Sequence, residues 1–210
     1  MTVTVDYYHF LISPWSYLAS ARLEALRART GARMRYLPIE VARTFAEMGG
    51  TPPAKRHPSR QSWRLEELGR WASHLDVPIV LEPPFFPADQ ALAARLVLAA
   101  GELDEAEGAA DDRPLAGRLS DAVLAACWRD GRDVADRATL ESLVDDLGVD
   151  RAALFARAEE WSLIERAREV TDEAHARGVF GSPTWVVGDE RFWGQDRLEF
   201  LERAIGAKAG

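Results

Sequence analysis

An α/β fold in two pieces, βαβ at the start and ββα at the end with an all-helical insertion between them, is what the sequence predicts. Strand-like apolar, β-branched and aromatic runs occur only near the two ends of the 210-residue chain. The stretch between them repeats its apolar residues at helical spacing. Glycine, proline and serine punctuate both junctions, at Gly49-Gly50-Thr51-Pro52-Pro53 and at Gly178 to Pro183. The α/β part is therefore 1–50 and 178–210, and the helical insertion is 51–177.

Val3, Val5 and Tyr7 alternate with Thr4 and Asp6, and the apolar run continues through Tyr8, Phe10, Leu11 and Ile12. That is a strand buried on both faces as it proceeds. Ser13-Pro14 is an N-cap followed by a proline at the first helical position, and Gly31 stops the helix that follows. Residues 34–39 form a second strand, weakened at its end by Pro38. Strand, helix, strand makes a βαβ unit with parallel pairing. In the insertion, Leu65, Leu68, Trp71 and Ala72 mark one helix, and 91–100 mark another that ends at Gly101. The acidic stretch 102–112 is expected to be a solvated loop. Helices resume over 115–128, over 137–147 (capped by Asp136, stopped by Gly148) and over 151–176. Thr184-Trp-Val-Val187 is a short strand, Gly188-Asp189-Glu190 turns the chain into Arg191-Phe192-Trp193, and Gly194-Gln195-Asp196 opens a last helix. This is the element order of a thioredoxin-like fold interrupted by helices.

Composition narrows the function. Hydrophobic residues make up 47 % and charged residues 29 %, with 26 Lys+Arg against 34 Asp+Glu and a net charge of −8. Phosphate binding draws its affinity from clustered cations, so neither nucleic acid nor an anionic membrane is an expected partner. A single cysteine, Cys127, excludes an internal disulfide and a cysteine-rich metal site. The histidines are scattered with no i, i+4 pair, so no metal is expected. The start of the chain has neither the basic segment nor the apolar run of a signal peptide, which points to a cytoplasmic protein.

Three places would meet in such a fold: Ser13-Pro14-Trp15-Ser16, Gly181-Ser182-Pro183, and Trp193-Gly194-Gln195-Asp196. Redox proteins of this architecture carry Cys-x-x-Cys at the first place, where a helix N-terminus stabilises a thiolate. Here Ser13 and Ser16 replace both cysteines, so dithiol exchange at this site is excluded. A hydroxyl and free backbone N–H groups at the positive end of a helix could instead hold another molecule's thiolate. Ser13 would also serve as a plain N-cap. Cys127 lies in an Ala/Leu helix and reads as a small buried hydrophobe, and His9 reads as packing.

The stretch Asp6-Tyr-Tyr-His-Phe-Leu-Ile-Ser13-Pro-Trp-Ser-Tyr-Leu18 resembles the N-terminus of the 2-hydroxychromene-2-carboxylate isomerases, DsbA-like proteins related to kappa-class glutathione transferases. Gly178 to Trp185 and Phe192 to Leu198 resemble the family's other two signatures, and Arg60 to Trp71 resembles its helical-insertion motif. The resemblance covers essentially the whole chain. It implies glutathione as cofactor, a small aromatic substrate, a homodimer, and interconversion of 2-hydroxychromene-2-carboxylate and trans-o-hydroxybenzylidenepyruvate or a close analogue. Ser13 matches the catalytic serine that hydrogen-bonds the glutathione sulfur. Pro183 matches a cis proline, leaving the backbone of Ser182 (where relatives often carry valine) to pair with glutathione. Asp196, with Gln195, matches the γ-glutamyl subsite, and Trp193 and Gly194 shape the same pocket. Arg60 and Gln61 match substrate contacts, while Thr51 stands where an asparagine is common. A kappa-like transferase or peroxidase, or a non-catalytic thioredoxin-fold binding module, would keep the same framework.

Overall fold

The computed structural model describes residues 2–107 and 113–209. Its sheet has four strands in the order β2-β1-β3-β4. β1 (Thr4–His9) pairs in parallel with β2 (Arg33–Pro38), with Tyr7 opposite Tyr36. It pairs antiparallel with β3 (Thr184–Val187), with Tyr7 opposite Trp185, and β3 forms a hairpin with β4 (Glu190–Trp193). Residues 5–9 of β1 are all buried, as a strand covered on both faces must be. Asp6 is the polar exception. Burial pulls its carboxyl upward, but Arg35 and Arg177 outweigh that and hold it below the ordinary carboxylate range.

α1 (Pro14–Thr30) runs from the Ser13 cap to Gly31, whose φ of 63° gives the left-handed stop. A short helix the sequence pattern did not mark, α2 (Val41–Glu47), follows β2. Its start has no side-chain cap, and it is held by tertiary contacts. Thr171 Oγ1 accepts from the Glu40 N–H at 3.1 Å, and Thr44 is fully buried against His175. The helices α3 (Pro58–Leu75), α4 (Ala91–Glu107), α5 (Leu115–Trp128), α6 (Arg137–Asp146), α7 (Arg151–Ala158), α8 (Trp161–Ala176) and, after the hairpin, α9 (Leu198–Ala209) complete the chain. One continuous apolar core runs from the sheet through α4, α5, α7 and α8.

Three expectations need correction. α4 passes Gly101 and continues to Glu107, because its acidic residues have partners: Glu102 pairs with Arg157, and Asp104 accepts the Leu115 and Ala116 N–H groups at 2.7 and 2.9 Å, capping α5. The rest of the expected loop, 108–112, lies outside the described residues. The helix expected over 151–176 is two helices. Arg95, from the middle of α4, donates to the Ala158 carbonyl at 2.9 Å, and Glu160 is extended (ψ 142°) where the second helix begins. Gly194-Gln195-Asp196 forms a turn, and α9 opens only at Leu198.

Candidate active site

The run Phe10-Leu11-Ile12 leaves the sheet buried and turns at Ser13, whose N–H donates to the Phe10 carbonyl at 3.0 Å. Ser13 is itself buried, and its Oγ accepts the Ser16 N–H at 3.2 Å. The capping role is therefore real, and it leaves the hydroxyl proton free to be donated elsewhere. Pro14 has no N–H, and the Trp15 N–H, in the first turn, has no acceptor among the described residues. Hydroxyl and amide thus stand together at the positive end of a 17-residue helix.

The Ser182–Pro183 bond is cis, and the loop that carries it lies against this helix start. Ser182 was expected to contribute only backbone, but its side chain ties three segments together. Its Oγ accepts the Phe10 N–H at 2.8 Å and shares a hydrogen bond of 2.8 Å with Ser16 Oγ. Ser16, with no site role in the sequence reading, is fully buried and belongs to this lock. On the other flank, the Gly194 N–H donates to the Pro183 carbonyl at 2.9 Å, with Gly194 at a φ of 109°. Trp193 is 52 % exposed and meets Phe180 edge-on at 4.7 Å between centroids. It closes over Gly181, where a Cβ would come within 2.6 Å of the indole nitrogen. Gln195 is buried and accepts from Arg22 of α1. Asp196 is exposed, pairs with Arg197 at 3.4 Å, and lies near enough to Arg22 to counter the effect of burial on that guanidinium. It does not cap α9, whose first turn closes from the Leu201 N–H onto the Arg197 carbonyl.

Ser13, Ser182, Pro183, Trp193, Gly194, Gln195 and Asp196 are thus brought together, whereas Arg60 and Gln61 stand on another element, α3. Gln61 Nε2 donates to the carbonyls of Arg56 and Ala54 at 2.7 and 3.3 Å, bracing the preceding loop, and Arg60 is exposed. α3 nevertheless flanks the site. Leu68 and Ala72 pack with Leu18 of α1, Trp71 lies under Arg22, and the Tyr17 hydroxyl donates to the Pro78 carbonyl just beyond α3 at 2.6 Å.

The neighbouring titratable groups are inert. Burial pushes the Cys127 thiol up to about 12, so it forms no thiolate near neutrality. Burial also drives His9 down to about 3. The neutral ring stacks on Tyr7 at 4.2 Å and bonds to the Tyr7 carbonyl and to Ser120 Oγ.

Comparison with known proteins places this geometry. Residues 4–206 match the family described as DSBA-like thioredoxin domain. A 2-hydroxychromene-2-carboxylate isomerase of Sphingobium xenophagum is 34 % identical over 203 residues, 96 % of this chain and 97 % of that protein. The chain belongs to this isomerase family. A solved structure of a 2-hydroxychromene-2-carboxylate isomerase superposes with a TM-score of 0.79 at 31 % identity, covering 98 % of this chain and 96 % of that one. The fold is accordingly the DsbA-like thioredoxin fold with a helical insertion, and the protein is an enzyme of the 2-hydroxychromene-2-carboxylate isomerase type. A glutathione S-transferase kappa 1 of Caenorhabditis elegans is 34 % identical over 83 residues, 39 % of this chain and 36 % of that protein. No helix among the described residues is long and apolar enough to cross a membrane.

Proposed function

We propose that this isomerase-family enzyme is glutathione-dependent and interconverts 2-hydroxychromene-2-carboxylate and trans-o-hydroxybenzylidenepyruvate, or a close aromatic analogue. The observation that carries the reading is the start of α1. There the Ser13 Oγ, which accepts the Ser16 N–H, and the Trp15 N–H, which has no acceptor among the described residues, stand at a helix N-terminus beside a cis-proline loop, with no cysteine in the turn. The names of the full-length relatives support the substrate, and the kappa-class relative supports the thiol.

The donor set fits a thiolate tripeptide. Ser13 and Trp15 N–H would take the sulfur, the Ser182 backbone the peptide, and Asp196 with Gln195 the charged amino end, while Trp193 and Gly194 wall the groove. When bound, glutathione supplies a recoverable thiolate nucleophile, which lets a ring-opened conjugated bond rotate. Ser13 would donate to the sulfur in a charge-assisted hydrogen bond, and the α1 dipole would favour the anionic form. The lock through Ser16 and Ser182 fixes the distance between the helix start and the cis-proline loop, so these groups need not rearrange. Arg60 and Gln61 would border the substrate from α3.

The test is turnover of 2-hydroxychromene-2-carboxylate, followed by absorbance with and without glutathione, while free thiol is counted. Glutathione-dependent conversion at constant thiol is expected. Conversion at equal rate without thiol would overturn the reading. A second reading, glutathione transfer, is favoured by the kappa-class match, and it predicts that thiol disappears as product forms.

A further inference from the structure

Arg64, on α3, takes no part in the lock around Ser13. Its guanidinium carbon stands 5.5 Å from the centroid of the Phe86 ring and 5.8 Å from that of Trp128, within cation–π reach of both. The two rings meet each other at 5.0 Å. Trp128 donates its indole N–H to the Ile12 carbonyl at 3.2 Å, and Ile12 immediately precedes Ser13. Arg64 is therefore joined to the proposed catalytic turn through a single aromatic layer.

Arg64 has no counter-charge. Many arginines elsewhere on the molecule pair with carboxylates, as Arg43 does with Asp172 and Arg166 with Glu173, and others such as Arg22 and Arg95 donate to amide or carbonyl oxygens. Among the described residues no carboxylate pairs with Arg56, Arg60 or Arg64, and Arg56 lies close enough to repel both of the others. Burial, reinforced by that repulsion, disfavours the Arg64 charge. A half-buried cation held beside like charges is unfavourable unless something negative joins it, and in a chain of net charge −8 that arrangement is local to this end of α3.

The geometry points to Arg64 as the residue that anchors the carboxylate of an aromatic acid beside Ser13. Phe86 and Trp128 hold the guanidinium within cation–π reach, and none of its N–H groups has a hydrogen-bond acceptor among the described residues, so its fork is available for two parallel N–H···O bonds. Arg56 and Arg60 add field without having to touch the ligand. The identity of the acid rests on the isomerase reading above; the anion site does not.

The test uses trans-cinnamate and its neutral twin trans-cinnamamide, with binding followed by tryptophan fluorescence in the absence of glutathione. The wild type should bind the acid at least about tenfold more tightly than the amide, and added salt should weaken only the acid. Arg64→Met keeps the apolar contact with the rings and should abolish the preference; Arg64→Lys should keep part of it. An Arg64→Met protein with the wild-type preference overturns the assignment, as does a loss that appears only in an Arg56→Met, Arg60→Met double variant. Should Arg64→Met fail to fold, the same titration on Arg64→Lys decides, because a fork-dependent site must lose affinity there and a pure point-charge site must not. Acid preference without glutathione-dependent turnover would leave this site standing while removing the functional reading. Turnover with an unchanged KM for the chromene acid in Arg64→Met would do the reverse.

Discussion

On the α1 side of the candidate site, Ser13, Ser16 and Ser182 are linked by hydrogen bonds to one another and to backbone, with Ser13 and Ser16 buried and Ser182 half-buried. On the α3 side, Arg56 and Arg64, half-buried, and Arg60, exposed, stand together with no carboxylate partner among the described residues. The first arrangement consists of groups whose positions are over-determined, the second of charges positioned by one helix and a layer of rings. A reacting sulfur needs the former, because misplacement costs rate, and substrate choice can rest on the latter, because one side chain can change without unmaking the fold.

The largest expected effect lies on the locked side. Ser13→Ala should lower glutathione-dependent turnover more than tenfold, the equivalent of a charge-assisted hydrogen bond of about 1.5–3 kcal/mol. Loss of the cap alone would cost about 1 kcal/mol of stability and leave turnover per folded molecule unchanged, so rate and melting curve measured together separate the two roles. Ser182→Ala tests the lock itself. It strands the Phe10 N–H and one bond of Ser16, at a cost of about 1–3 kcal/mol. Calorimetry should show a Tm loss of roughly 2–4 °C per kcal/mol, and an unchanged Tm would mean that the two sides are not built differently after all.

Acid should weaken the locked side selectively. His9 lies in the strand that feeds the Ser13 turn and is held neutral to about pH 3. The unfolded chain therefore binds the extra proton first as pH falls below the ordinary histidine value of 6.5. Stability is complete above that value and declines toward pH 3, at up to about 1.4 kcal/mol per pH unit. Asp6, held low by its arginines, loses its contribution only below its ordinary value of 3.8. Between pH 4.5 and 6.5, Tm should fall more steeply for the wild type than for His9→Gln, and parallel curves would contradict the buried neutral ring. The smallest effect is at the rim. Asp196→Asn removes an exposed charge and should raise the KM for glutathione about two- to fivefold with kcat nearly preserved, as uniform binding requires. A kcat loss at saturating glutathione would move Asp196 toward the sulfur, and no change in either constant would leave it as a partner of Arg197 alone.

Legibility followed the range of the forces involved. Ser13-Pro14 and Gly31 bracket α1 because capping and chain reversal are decided within a few residues, and the same holds for Asp136 ahead of α6. α2 escaped because the contacts that hold it come from α8, 131 residues away in sequence. The break between α7 and α8 escaped because Arg95 supplies it from α4. Asp104 looked like part of a solvated acidic stretch and proved to be the cap of the next helix.

By itself the sequence determined the α/β order with its helical insertion, the serine-for-cysteine turn that excludes disulfide exchange, and the three short motifs around Ser13, Pro183 and Gly194 that the fold brings together. These are local patterns, or pairs of short motifs whose meeting the fold dictates. Tertiary structure alone decided that the Ser182 hydroxyl, rather than only its backbone, ties the site together, that Gln61 spends its amide on a loop, and that Arg64 stands uncompensated over Phe86 and Trp128. Whether a polar side chain has a partner depends on which surfaces are pressed together across the core, and that is fixed only when the whole chain has packed.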